Sequence, residues 1–105
     1  MSTPYTPTQP DRSDIDAMTG VIALEFGTDW CGYCRAAAPL IAAALSRYPD
    51  VRHLKVEDGS GRPLGRSFRV KLWPTLVVLK DGKECSRVVR PADEDGVRAA
   101  LDASA

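Results

Sequence analysis

Two thiols stand three residues apart at Cys31 and Cys34, a spacing that lets them close a small ring if the chain between them turns as at the start of a helix. The chemistry this offers is disulfide exchange: a thiolate attacks a disulfide sulfur, and a second thiol resolves the mixed disulfide that forms. Gly32 between them permits the turn. Upstream, Val21–Phe26 is a short apolar run that passes into Gly27-Thr28-Asp29, the pattern of a buried strand ending in a loop. Downstream, Arg35 to Arg47 is dominated by strong helix formers. The pair therefore sits between a strand and a helix N-terminus, where unpaired N–H groups and partial positive charge stabilise an anion. A cysteine so placed ionises below its ordinary pKa of about 8.5. Cys31 is the expected nucleophile. Cys34, one turn in and more buried, attacks the mixed disulfide, releases the reduced substrate and leaves a redox-active Cys31–Cys34 disulfide behind.

Two blander uses of the same residues stay open. A Cys-x-x-Cys pair can be half of a structural zinc site, which needs four ligands; the other candidates are Cys85 and the only histidine, His53, with no second close-spaced pair. Free cysteines also fill cores as small hydrophobes, although the junction of strand and helix argues against it here.

The match to a known family extends beyond the two thiols. Phe26-Gly-Thr-Asp-Trp-Cys-Gly-Tyr-Cys34 resembles the Phe-x-x-x-Trp-Cys-Gly-Pro-Cys segment of the thioredoxin family, Pro39 falls where that family bends its active-site helix, and Trp73-Pro74-Thr75 is similar to its cis-proline segment. Lys80-Asp81-Gly82-Lys83 resembles its hairpin turn, and the likeness runs from about residue 15 to residue 101. It implies an α/β thioredoxin fold, a central mixed sheet of four to five strands with helices on both faces. It implies a thiol-disulfide oxidoreductase, most simply a protein disulfide reductase, supplied with electrons by a separate reductase and needing no bound cofactor or metal. An oxidase or isomerase, or a binding module that no longer uses its thiols, is the alternative.

The resemblance also assigns roles. Trp30, Gly32, Tyr33, Trp73 and Pro74 would frame the substrate groove, with the backbone of Trp73 pairing with an extended peptide and Pro74 packed near the sulfurs. Glu25, a carboxylate in the middle of an apolar strand, stands where the family has a buried acid and would exchange a proton with Cys34; an edge-facing glutamate paired with a lysine is the competing reading. Two departures stand out. Tyr33 replaces the family's proline between the cysteines, adding an N–H able to reach a sulfur, and Arg90-Pro91 replaces its glycine after the last strand, making the groove bulkier and more basic.

The remaining elements must hold this site in place. Residues 1–10 carry Pro4, Pro7 and Pro10 and form an extended or disordered arm; residues 11–105 form one domain. A short helix follows from Asp11 to Met18, and a helix from about Cys34 to Tyr48 buries Leu40, Ile41, Ala44 and Leu45, with a kink at Pro39. Arg35 is a solvated first-turn residue or a cation beside the Cys31 thiolate. Val51–Val56 alternates as a one-faced strand, with His53 on its polar side as a surface histidine or a pH-responsive partner for Glu25. Leu64–Val70 is a short helix, Leu76–Leu79 and Lys83–Val89 are hairpin strands, and Asp93–Leu101 closes as a helix. Trp73 is a substrate platform or core, and Cys85 a half-buried structural residue or a thiol open to oxidation or intermolecular pairing.

Composition excludes other classes. The 105 residues carry 14 basic and 14 acidic side chains, a formal charge of zero, so nothing advertises nucleic acid or an anionic membrane as partner. No run approaches the roughly 20 apolar residues needed to span a bilayer, and Met1–Pro10 lacks a basic start followed by an apolar core. Three cysteines, an odd number, suit a reducing compartment better than a secreted disulfide framework. A cytoplasmic monomer acting on protein disulfides is the expectation.

Overall fold

Alternation along one strand decides the architecture. In the computed structural model, which describes residues 3–104, α1 (Arg12–Asp16) leads into β1 (Val21–Gly27), followed by α2 (Gly32–Leu45), β2 (Arg52–Glu57), α3 (Pro63–Ser67), β3 (Thr75–Lys80), β4 (Lys83–Val89) and α4 (Glu94–Asp102). The strands form one mixed sheet in the order β2-β1-β3-β4, with β1 parallel to β2 and antiparallel to β3. Successive β1 side chains point to opposite faces. Ile22, Leu24 and Phe26 meet Ile15, Leu64 and Phe68 from the α1 and α3 side. Ala23 meets Ile41 and Ala44 of α2 and Val97 and Leu101 of α4 on the other side. Helices cover both faces, and period two puts Glu25 on the same face as Ala23, beneath α2.

Local sequence accounts for each boundary. Asp11 caps α1 and Asp93 caps α4, its carboxylate accepting from Gly96 N–H at 3.0 Å. Pro63 opens α3 in the first turn, where its missing N–H costs nothing. Asp81 and Gly82 both adopt positive φ, 51° and 82°, as a two-residue turn twisted to match the β3–β4 hairpin requires. Pro39 lies inside an uninterrupted α2, where it leaves the Arg35 carbonyl without its i+4 donor.

The amino-terminal arm is extended and held down. Tyr5 is 5% exposed, and Thr6 makes a single parallel bridge beside β2, its N–H reaching Lys55 O at 2.8 Å and its carbonyl accepting from Glu57 N at 2.9 Å. The flanking prolines have no N–H to extend this ladder. Met1 and Ser2 of the arm expected at 1–10, and Ala105 at the far end of the expected domain, lie outside the described residues.

Cys85 departs from expectation: it is an exposed free thiol. The register steps from Val78↔Ser86 to Leu79↔Glu84, so Cys85 is the extra residue of a bulge on an edge strand and has no partner to cover it.

Candidate active site

Cys31 is the N-cap of α2. Its sulfur accepts from the Cys34 N–H at 3.4 Å while its carbonyl accepts from Arg35 N at 3.0 Å, closing the first helical turn around the pair. Both cysteines are free thiols, Cys31 8% and Cys34 1% exposed. Burial opposes ionisation of Cys31, but it is outweighed: the Cys34 thiol, the backbone N–H groups of Cys34 and Tyr33 and the charge of Arg90 hold the Cys31 pKa below its ordinary value. Cys34 goes the other way. Burial pushes its thiol up to about 11, against the Thr28 backbone and the Tyr5 hydroxyl, with the neighbouring Cys31 adding to the rise. One sulfur is thus set up to be an anion and the other to keep its proton.

Glycine has a different place here from the one the motif suggests. Gly32 begins α2 outside the left-handed region, and a Cβ on it would meet nothing within 4 Å, so the turn does not depend on it; its bareness leaves open surface beside Cys31. Gly27 is where a side chain cannot go, since a Cβ there would lie 2.6 Å from both Cys34 Sγ and the Tyr5 hydroxyl.

Behind the cysteines, Glu25 is 1% exposed. Its Oε2 accepts from the Tyr5 hydroxyl, and its Oε1 lies 2.8 Å from His53 Nε2. His53 is therefore the partner of Glu25, because β2 pairs in parallel with β1 and turns His53 and Lys55 toward the same face. Lys55, the register neighbour of Glu25, places its ammonium over the Tyr5 ring, 4.4 Å from the centroid. The Tyr5 pKa is held far above the ordinary phenol value, by burial first and then by Glu25 and Cys34. Tyr5 is the site residue that motif reading missed. The one signal was an aromatic between two prolines in an otherwise polar arm.

The rim is aromatic. Trp30 and Tyr33 are 72% and 60% exposed. Trp73 is half-buried, donates its indole N–H to Asp58 Oδ2 at 2.9 Å and meets Trp30 edge to face, with centroids 5.7 Å apart. Pro74 is buried behind a cis bond. Arg90 crosses this rim: its guanidinium lies over the Tyr33 ring, 3.8 Å from the centroid, and Nε donates to the Trp73 carbonyl at 2.8 Å. One lone pair of that carbonyl is thus already engaged, and a peptide pairing with the Trp73 backbone must share the oxygen with the arginine, displace it or use the N–H. Arg90 has φ 47°, the left-handed geometry that glycine takes without strain, and its two bonds to the Trp73–Pro74 segment hold it there. Arg35 is exposed on α2.

Against known proteins, the thioredoxin family model matches residues 8–103. The chain belongs to the thioredoxin family. The reduced form of thioredoxin 2 from Pseudomonas aeruginosa superposes with a TM-score of 0.87 at 55% identity, over 97% of this chain and 94% of that one. Fasciola hepatica thioredoxin gives a TM-score of 0.72 at 30% identity over 86% of each chain. A thioredoxin of Chlamydia trachomatis is 38% identical over 80 residues, 75% of this chain and 78% of its own length. The fold and family expected from the sequence are both borne out, and the activity is the family's, thioredoxin-type reduction of disulfides. Among the described residues no three His, Cys, Asp or Glu side chains gather as a metal site would require, and no helix is long and apolar enough to cross a membrane.

Proposed function

We propose that Cys31 and Cys34 carry this thioredoxin activity on protein disulfides, Cys31 as nucleophile and Cys34 as resolving thiol. The opposed ionisation of the two sulfurs supports these roles above all other observations: one is drawn below its ordinary pKa at the mouth of α2, the other is pushed up to about 11 beneath it. The Cys31 thiolate attacks a substrate sulfur, forming one S–S bond as the substrate's own breaks. Cys34 then gives up its proton and attacks Cys31; the substrate leaves as a thiol, and the electron pair that reduced it is accounted for by the new Cys31–Cys34 disulfide. Glu25 accepts the proton at the Cys34 side. Trp30, Gly32, Tyr33, Trp73 and Pro74 bound the groove into which an extended peptide docks, Pro74 lying near the sulfurs and the aromatic pair supplying apolar contact.

Each turnover leaves an oxidised pair, so a separate reductase must return two electrons; no bound cofactor or metal enters the cycle. The protein acts in this reading as a cytoplasmic monomer. The decisive experiment uses reduction of a disulfide-bonded protein such as insulin. Cys31→Ser abolishes it, while Cys34→Ser stops at the first step and accumulates covalent adducts that dithiothreitol releases. Retention of full activity by Cys31→Ser, or an absence of adducts with Cys34→Ser, would sink the assignment.

A further inference from the structure

Cys34 is nearly buried, although it forms part of the wall of a cleft of about 370 Å³ that Tyr5, Thr28 and Arg35 also line. Cys34 and Glu25 are each 1% exposed, and the carboxylate's two oxygens bond to Tyr5 and His53. The Tyr5 hydroxyl neighbours both the thiol and the carboxylate. It bonds to Glu25 and converges with Cys34 Sγ on the space over Gly27, within 2.6 Å of the same imagined Cβ. A hydroxyl can accept with a lone pair while donating its own hydrogen. At the far end, the His53 side chain keeps 28% of its surface, and a cleft of about 510 Å³ bounded by Glu25, His53, Lys55 and Pro39 opens beside it.

We propose that Tyr5 is a catalytic residue of the resolving step, its hydroxyl taking the Cys34 proton while passing its own to Glu25, with His53 as the outlet to solvent. The proposal rests on the assignment of Cys31, Cys34 and Glu25 made above. The step balances. As the Cys34 S–H bond breaks, its electron pair forms the bond to Cys31; the bond between Cys31 and substrate breaks with its pair on the substrate sulfur. Tyr5 gains one proton and loses one, so it is never an anion, in keeping with burial and Glu25 holding its phenol far above the ordinary range. Glu25 is protonated transiently and discharges at the His53 side, where the cleft admits water. The net change is one proton moved from Cys34 to the departing thiol. The arm thereby becomes part of the catalytic apparatus: the Tyr5 N–H bonds Asp29 Oδ1 at 3.0 Å, tying its backbone to the loop that precedes the cysteines.

The two chemical steps can be timed apart with 5,5′-dithiobis(2-nitrobenzoate). Cys31 attack releases one chromophore, resolution by Cys34 releases a second, and a Cys85→Ser background removes the exposed third thiol. Tyr5→Phe keeps the buried ring and removes only the oxygen. The first release should stay within about twofold of its original rate, and the second should slow about 100-fold, the scale of a lost proton-transfer group. Glu25→Gln should slow the second release similarly, and the double variant should be no slower than the slower single, as for two members of one path. An undiminished second release in Tyr5→Phe, with Glu25→Gln slow, overturns the role of Tyr5 and leaves that of Glu25 standing. An undiminished Glu25→Gln overturns the acid assignment and the relay with it. Multiplying defects in the double variant, or equal slowing of both releases by Tyr5→Phe, also overturn the proposal, because they mark independent or merely structural effects.

Discussion

The peptide N–H at position 33 is among the groups that hold the Cys31 pKa below its ordinary value, and a proline there has no such hydrogen to give. The same Tyr33 ring carries the Arg90 guanidinium at 3.8 Å, and the charge of Arg90 also draws the Cys31 pKa down. Both effects stabilise the reduced pair over the disulfide, which makes a dithiol less reducing. Tyr33→Pro should therefore raise the Cys31 pKa, seen as a thiolate absorbance that appears at higher pH. It should also shift the equilibrium with glutathione toward a more reducing potential, on the order of 30 mV for each 1.4 kcal/mol of stabilisation lost. A variant whose potential equals that of the parent, or lies above it, would contradict the link between this N–H and the redox balance.

Elements differ in how openly the sequence declares them, and the reason is range. β1, the cysteine turn and α2 are consecutive, so apolar run, thiols and helix formers appear in reading order. The Asp81-Gly82 turn is equally local, as its two positive φ values need residue types that tolerate them. What the sequence leaves open or hides depends on pairing between distant segments. It leaves His53 open between a surface residue and a partner of Glu25, and the alignment of Ala23 with His53 decides for the partner; Tyr5 reaches Glu25 across 20 residues from an arm with no periodicity to read. Cys85 looked half-buried until the bulge opposite Val78 and Leu79 turned it out, and Arg90 was visible as a substitution but its stacking on Tyr33 was not. The strand end that joins these local and distant parts is Gly27, whose missing side chain leaves room for both Cys34 Sγ and the Tyr5 hydroxyl at 2.6 Å. Gly27→Ala must displace one of them. Overpacking of this kind costs about 1–3 kcal/mol, and urea unfolding should register it. The variant should also lose resolving rate more than first-attack rate, whereas Gly32→Ala, with open space around its Cβ, should leave stability within about 0.5 kcal/mol of the parent.

For the whole molecule, the two cysteines tie stability to pH in opposite senses, and only in the reduced state. Cys31 is depressed in the fold, so its contribution is absent at low pH, grows above its folded pKa and is complete once pH passes the value of an unfolded thiol. Cys34 is raised from 9.0 to about 11; its contribution is complete below the unfolded value and is lost as pH climbs from there through about 11. The disulfide form has neither thiol, while Tyr5, Tyr48 and the remaining titrating groups are common to both forms. The stability of the reduced protein minus that of the oxidised protein should therefore rise with pH up to the ordinary thiol range, peak near pH 9 and then fall, by on the order of 2 kcal/mol, toward pH 11. Urea unfolding of both forms at half-unit steps from pH 6 to pH 11 draws this curve. Cys34→Ala cannot form the disulfide, so its reference is the Cys31→Ala/Cys34→Ala double variant; that difference should rise with pH to a plateau, because the Cys31 contribution saturates while nothing remains to be lost above it. A difference that climbs without turning over in the unaltered protein would mean that Cys34 ionises as an ordinary thiol. The buried, proton-keeping partner on which resolution depends would then not exist.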